Sequence, residues 1–362
     1  MFRYKSIIGF IASLALFLVP ATPGYAQAAA FGKGHPLKVM TRNVYQGTDF
    51  VEVMGSTDFP SFLAQVTATI NNVRATRPDV RMAAIAEEIA DQEPDVIAIQ
   101  EATIWRTGPS PYALTTEYDQ LQLLLNGLKK HHTPYVAVNV VPQFNFIAPS
   151  STGLWVSTTT QIAILVRADL LHEGDVTVTN PQGGLFPDEH SLSIHLSALD
   201  QQIFISRGWA SVDLNFKGTP FRFVTAHPEA FAWQYDALQV GDLLGAPTAT
   251  SLPVVMAADF NIQAQNPEDP TYQYAYNAIT QSAGFTDAWV ASEGPLPGFT
   301  CCQLNDLKNV KSLIDQRIDL IFVRGDVEVR GMKITGAKQD ARVQGLWPSD
   351  HAGVVGKLWL VQ

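Results

Sequence analysis

Cysteine is almost missing from this sequence: among 362 residues there are two, Cys301 and Cys302, and they are neighbours. They cannot staple distant segments; an adjacent pair closes a small strained ring or stays as two free thiols. No metal-ligand spacing involves either cysteine, which on sequence grounds excludes a thiolate zinc site. Charge is sparse as well, at 16% of residues, with no block of like charges and no internal repeat. The formal net charge of -10 argues against a broad basic face that grips nucleic acid. It leaves open an enzyme that meets phosphates through a metal ion. The one long apolar run is Ile7 to Val19, behind Arg3 and Lys5 and ahead of Gly24-Tyr25-Ala26. That is the makeup of an export signal, and the run is too short to span a membrane. The expectation is a signal peptide over 1–26, a flexible leader over 27–36, and a single mature domain from 37 to 362. Such a chain works outside the cytoplasm, secreted or periplasmic, where disulfides persist. No later stretch reaches the length of a membrane span, and nothing points to an obligate protein partner.

What the chain has in quantity is apolar sequence, 46% of it, much of it in short continuous runs. Runs of that length suit strands buried on both faces. Pro253 to Ala258 is one, followed at once by Asp259, Phe260 and Asn261. Side chains alternate along an extended segment, so Asp259 and Asn261 share a face while Phe260 turns to the core. A carboxylate and a carboxamide so placed can hold a water and a phosphate oxygen, although an Asx-type turn has the same local chemistry. The same pattern recurs. Leu37 to Met40 runs towards Asn43 and the turn residue Gly47, Val96 to Ile99 ends in Gln100 and Glu101, and Phe221 to Ala226 delivers His227. A carboxylate after an apolar strand reaches solvent or holds a cation. Arg317 to Val323 carries Asp319 inward among apolar neighbours, a position that demands a partner such as Arg317 or a histidine. Ser349-Asp350-His351 precedes the last strand, Val354 to Val361.

Between these strands the spacing predicts helices over Phe59 to Arg74, from Pro78 to about Asp91, through Tyr118 to Leu128, and over Tyr272 to Gly284. Further strands are expected at Tyr135 to Val141, Gln161 to Arg167, Val176 to Thr179, Ile194 to Leu196, Gln201 to Ser206 and Trp209 to Phe216. Gln182 to His190 reads as a loop. Pro142 to Ser157 holds Phe144, Phe146, Ile147, Leu154 and Trp155 among Pro, Ser, Thr and Gly. It reads as an irregular segment, either a lid packed on the core or an apolar wall of a substrate site.

Ile99-Gln100-Glu101, Asp259-Phe260-Asn261, Arg317-Ile318-Asp319 and Ser349-Asp350-His351, in this order and with Asn43 and His227, resemble the endonuclease/exonuclease/phosphatase superfamily of deoxyribonuclease I-like fold. The resemblance covers essentially the whole mature chain. Two departures concern loop shape: Ala258 stands where the family usually has Gly, and Pro228 follows His227. The resemblance implies an α/β four-layer sandwich, two packed mixed β-sheets flanked by helices. It implies that Asn43 and Glu101 hold Mg²⁺ or Mn²⁺, with Asp350 a further ligand. Oxygen ligation without cysteine suits such a hard cation. Asp259 would orient or deprotonate the attacking water, Asn261 would donate to a phosphate oxygen, and His227 would stabilise the phosphate or leaving group. His351, held by Asp319, would contact the phosphate or share the base role. The activity implied is hydrolysis of a phosphodiester, with nucleic acid ahead of a phospholipid headgroup as substrate, and a catalytically silent binding module as the remote alternative.

Overall fold

The computed structural model describes residues 33–294 and 296–362. The export signal expected over 1–26, and the leader as far as residue 32, lie outside them. Strand β1 (Gly34–Asn43) leads into helices α1 (Val51–Met54), α2 (Phe59–Ala75) and α3 (Pro78–Gln92). Strands β2 (Val96–Gln100), β3 (Ile104–Gly108) and β4 (Thr115–Asp119) follow, then α4 (Gln120–Lys130). The long pair β5 (Tyr135–Pro149) and β6 (Trp155–Arg167) precedes α5 (Ala168–Glu173). Next come β7 (Val176–Leu185), β8 (Leu192–Leu196), β9 (Gln201–Ile205), β10 (Gly208–Phe216) and β11 (Thr219–His227). Helix α6 (Trp233–Gly245) leads to β12 (Val254–Asp259), and two π-helical turns (Tyr272–Tyr276, Ala278–Ser282) lead to β13 (Thr286–Asp287) and α7 (Ala288–Glu293). Strands β14 (Asp319–Arg324), β15 (Val327–Thr335) and β16 (Gly353–Val361) complete the described chain.

Two mixed sheets result. The first has eight strands, ordered β15-β16-β1-β2-β6-β3-β4 with β5 also on β6; the second has six, ordered β13-β14-β12-β11-β10-β7. β8 and β9 form a separate hairpin. The alternation of side chains builds the layers. Leu37, Val39, Val96, Ala98 and Ile164 of the first sheet meet Val212, Phe221, Phe223, Val255, Ala257 and Ile321 of the second between the sheets. Their sequence neighbours face outward. Met40, Ile97 and Ile99 pack under Met82, Ile85 and Ile89 of α3 and Leu124 and Leu128 of α4. Val254, Met256 and Ala258 pack under Val240 and Leu243 of α6 and Ala275 and Ile279 of the π-helical turns. This is the four-layer sandwich that the resemblance implies, and the short apolar runs fit it: each central strand is buried on both faces, so it has no polar face to alternate.

The segment Pro142 to Ser157 is strand, apart from a bulge after Pro142 and the turn at its middle. It is the core of the β5–β6 hairpin, and only Ser150 to Leu154 turns, with Ser150 N–H donating to Leu154 O. Register shifts at Ala137/Asn139 and Pro142/Asn145 let β5 carry Pro142 on an exposed bulge, where a missing N–H costs no ladder bond. Asn180 and Pro181 sit in a similar irregularity of β7, which therefore runs on to Leu185 through the expected loop. Helix α6 is absent from the sequence expectation for a physical reason. Asp236 and Gln239 are among its buried residues, so polar side chains interrupt its apolar stripe. Strands β3, β4 and β15 are likewise additions, half-exposed, with β15 and β4 at the edges of the first sheet and β3 beside β4.

Candidate active site

Strand pairing gathers the predicted polar residues at one end of the sandwich. Asn43 closes β1 and sits level with Gln100 on parallel β2, which delivers Glu101. Asp259 at the end of β12 faces Asp319 at the start of antiparallel β14. His227 ends β11, and His351 enters just before β16, bridged to Cys301. Gln100 ties the two sheets together beneath the site, accepting from Thr41 Oγ1 at 3.2 Å and donating to Thr225 Oγ1 at 3.0 Å.

Asp259 is the hub. Its Oδ2 accepts from Asn43 Nδ2 at 2.9 Å and lies 3.4 Å from His227 Nε2 and 3.8 Å from His351 Nε2. Its Oδ1 accepts the Asn261 N–H at 3.1 Å, so the Asx turn and the site geometry are the same feature. Phe260 turns into the core as alternation requires. Asn261 donates Nδ2–H to Pro228 O at 3.0 Å, tying the two loops that depart from the family pattern in sequence. Asn43 also donates to Glu101 Oε1 at 3.1 Å while its own Oδ1 accepts from Tyr45 N–H at 2.9 Å. It therefore holds Glu101 and Asp259 together. Glu101 Oε2 accepts from Gln46 N–H at 2.9 Å.

Asp319 settles on the histidine. His351 Nδ1 and Asp319 Oδ2 are 2.8 Å apart, both residues buried. Arg317, the other partner open to it, is taken by Asp287 at 2.8 Å. Burial opposes charge on His351, but Asp319, Asp259 and Asp350 around it raise its pKa well above the ordinary imidazole range. Burial likewise opposes charge on Asp259, and His351, His227 and Asn43 hold its carboxyl below the usual range. Asp350, its Oδ1 4.0 Å from His351 Nε2, is pushed up to about 6, mainly by burial, with Glu101 and Asp259 adding to it against His351 and Arg81. Three residues of this region, Tyr45, Glu101 and Asn261, hold φ of 59°, 60° and 56°, a left-handed conformation that costs energy outside glycine and clusters at functional sites.

All eight predicted site residues are thus brought to one end of the sandwich. Six of them line one cleft of about 230 Å³: Glu101, His227, Asp259, Asn261, Asp350 and His351, with Asn43 and Asp319 bonded behind it. The donor set fits a hard cation. Among the described residues lining the cleft, Asp49, Glu101, Asp259 and Asp350 face one permanent cation, Arg207. Glu101, His227 and Asp259 offer ligand atoms within 4.8 Å of one another. Excess carboxylate around a buried centre calls for positive charge.

Sequence reasoning missed three arginines. Arg207 lies before β10, with Nη1 3.3 Å from His227 Nδ1 and Nε 3.6 Å from Glu229 Oε2. Arg42 donates to Glu88 Oε2 at 3.1 Å and to the carbonyls of Asn43 and His351. Arg81 donates to the carbonyls of Thr76, Val44, Pro348 and Tyr45. Their acceptors are mostly backbone, which leaves no signature in residue types. The predicted Phe144 sits on the cleft wall and also packs, stacked on Phe146 and edge-on to Phe50.

Behind Glu229, Asp236 is fully buried, and neither carboxyl oxygen has a hydrogen-bond partner among the described residues. Burial first, then Glu229 and Asp259, raise its pKa well above the ordinary range. A carboxyl raised in the folded state contributes stability below its unfolded value of about 3.9 and loses it as pH climbs towards the folded value. Asp236→Asn is neutral at every pH and is expected to melt with the wild type near pH 4 but roughly 2–4 °C above it by neutral pH. Parallel melting curves across that range would show that Asp236 keeps its charge.

The family model for the endonuclease/exonuclease/phosphatase family matches residues 43–351, Asn43 to His351. Among curated proteins, none matches the sequence. Solved structures do. An endonuclease/exonuclease/phosphatase family protein from Bacteroides thetaiotaomicron is similar with a TM-score of 0.53 at 15% identity, over 91% of this chain and 99% of its own. D. rerio TDP2, complexed with single-strand DNA product, is similar with a TM-score of 0.52 at 17% identity, over 89% of this chain and 98% of its own. A mannosyl-6-phosphatase from Bacteroides thetaiotaomicron gives 0.50 at 15% identity, over 89% and 99%. At these identities the likeness establishes the deoxyribonuclease I-like fold.

Proposed function

This chain belongs to the endonuclease/exonuclease/phosphatase family, and from that premise we propose that it is an exported, Mg²⁺-dependent phosphodiesterase. The observation that carries the proposal is the Asp319–His351–Asp259 line, joined to Glu101 through Asn43, which turns His351, Asp259 and Glu101 to one cleft. Asp259, ionised and lodged between two imidazoles, orients the attacking water and draws off its proton. Asp319 fixes the proton of His351 on Nδ1 and leaves Nε2 turned to the cleft, where the imidazolium meets a phosphate oxygen. His227, backed by Arg207, faces the same space. Asn261 keeps a second amide N–H for the phosphate while the first holds Pro228. Glu101 and Asp350 supply carboxylates for the cation, which when bound polarises a phosphoryl oxygen and offsets charge on the leaving oxygen.

For the substrate, the resemblance in sequence favours nucleic acid over phospholipid, and the cleft weighs the other way. A polynucleotide is gripped through several cations along its backbone, and among the described residues this cleft presents one permanent cation, Arg207, against four carboxylates. Its other walls are Phe50, Phe144 and the half-exposed Phe231, a lining that suits an apolar group next to a single phosphate. No helix among the described residues is long and apolar enough to cross a membrane. The test is a panel of plasmid DNA, RNA, sphingomyelin and phosphatidylcholine liposomes and a chromogenic phosphodiester, each with and without chelator. Hydrolysis of the chromogenic diester and a lipid, lost on chelation, is the expected result. Full turnover in excess EDTA would end the metal-dependent reading. Faster cleavage of DNA or RNA than of any lipid would restore the nuclease.

A further inference from the structure

The cysteine pair, excluded as a metal site by its spacing in sequence, is brought by the fold to a third ligand. Cys301 and Cys302 form a disulfide on the wall of the cleft, with Cys301 buried and Cys302 exposed. Cys301 Sγ lies 3.5 Å from His351 Nε2. Two ligands at thiolate and imidazole bond lengths from a tetrahedral zinc lie about 3.3–3.8 Å apart, which this separation matches. The histidine is also prepared as a ligand. Its Nδ1 is held by Asp319, the carboxylate–histidine arrangement that orients imidazoles towards metals.

We propose that Cys301, Cys302 and His351 form a soft-metal site that opens when the disulfide is reduced. A dithiol reductant attacks the exposed Cys302 Sγ, the S–S bond breaks, and Cys301 leaves as thiolate. The reductant's second thiol then displaces Cys302 and closes its own disulfide, so two electrons pass to the protein. A Zn²⁺-class ion takes both thiols as thiolates and replaces the proton on Nε2 of the His351 imidazolium, so three protons are released in all. The ligands stay in place without the S–S bond because the backbone around it is pinned on both sides. Cys301 N–H donates to Gln316 O, its carbonyl accepts from Asp315 and Gln316, Gln303 N–H donates to Asp350 O and Ala352 N–H to Thr300 O. Occupation of this site withdraws Nε2 from the phosphate, a consequence that rests on the catalytic role given to His351 above; the binding itself does not.

The whole protein is reduced with a water-soluble phosphine, which water converts to phosphine oxide as the disulfide becomes two thiols, then desalted without oxygen and titrated with Cd²⁺. The expected result is a thiolate-to-cadmium charge-transfer band that saturates at one ion per chain in the reduced protein and is absent from the oxidised one. Cadmium at the carboxylates gives no such band. Asp319→Asn, which loosens His351 and keeps both thiols, is expected to weaken the cadmium affinity roughly 10- to 100-fold. The proposal is overturned if the folded protein resists reduction, if two free thiols appear without the band, or if Asp319→Asn binds cadmium as the wild type does. Inhibition of the reduced enzyme by cadmium, with the oxidised enzyme unaffected at the same concentration, carries the consequence for His351. Cadmium binding without inhibition would leave the metal site standing and remove His351 from the reaction.

Discussion

Replacing His351 with Ala is expected to lower kcat on a chromogenic phosphodiester by roughly 10²–10⁴-fold, the range of a positioned acid or base. Asp319→Asn should fall in the same range, because its carboxylate touches the reaction only through His351 Nδ1, at 2.8 Å. The decisive quantity is the double variant. Residues that act as one unit lose their effect once, so Asp319→Asn with His351→Ala should be little worse than His351→Ala alone. Two independent groups would instead multiply their losses. The arrangement supports the first outcome: Arg317 is occupied by Asp287, and Asp319 Oδ1 has no hydrogen-bond partner among the described residues. Melting curves for all three variants separate a lost reaction from a lost fold. Multiplied losses in kcat would show that Asp319 and His351 are not partners.

The pattern that made this site legible is the strand buried on both faces. Pro253 to Ala258 and Val96 to Ile99 have no polar position until they end, so the first polar residue beyond each stands out. Asp259 is that residue for the first run, and Gln100 followed by Glu101 closes the second; the pairing of β12 with β14 and of β1 with β2 brings their partners level. Where a polar residue is buried for structure, the same logic misleads. Asp236 and Gln239 on α6 broke the helical stripe, and Pro142 made a continuous strand look like a loop. The strand pattern alone left Arg317 and a histidine open as partners of Asp319, and only the resemblance pointed to His351; Arg317 is taken by Asp287, which caps α7 from another part of the chain. The approach of His351 to Cys301 is of the same kind, since only the bridge between them reveals it.

The buried arginines extend that point to stability, and Arg81 gives it the largest number. Its side chain is fully buried on α3, donating to Thr76 O at 2.9 Å, Val44 O at 2.8 Å, Pro348 O at 3.0 Å and Tyr45 O at 3.0 Å. Val44 and Tyr45 follow Asn43, and Pro348 precedes Ser349-Asp350-His351, so one guanidinium holds together the two loops that bear the residues proposed to meet metal and phosphate. Tyr45 O has a second donor in Gln120 Nε2, which leaves the others most dependent on Arg81. Burial pushes the pKa of Arg81 down to about 10, against the pull of Tyr45 and Asp350, and it remains charged at neutral pH. Arg81→Met matches its length and apolar stem but leaves those carbonyls without their donor, near Asp350 and Glu101. The expected cost is about 3–5 kcal/mol, the scale for breaking a buried charged network. Each kcal/mol corresponds to roughly 2–4 °C in Tm for a chain of this class, and kcat should fall with it as the loops separate. Arg81→Lys keeps the charge but offers a compact ammonium in place of a fork spanning four carbonyls, so it should recover less than half of the loss. Denaturant melts of the three proteins decide the matter: a Met variant within about 0.5 kcal/mol of wild type would reduce Arg81 to an ordinary surface-type position.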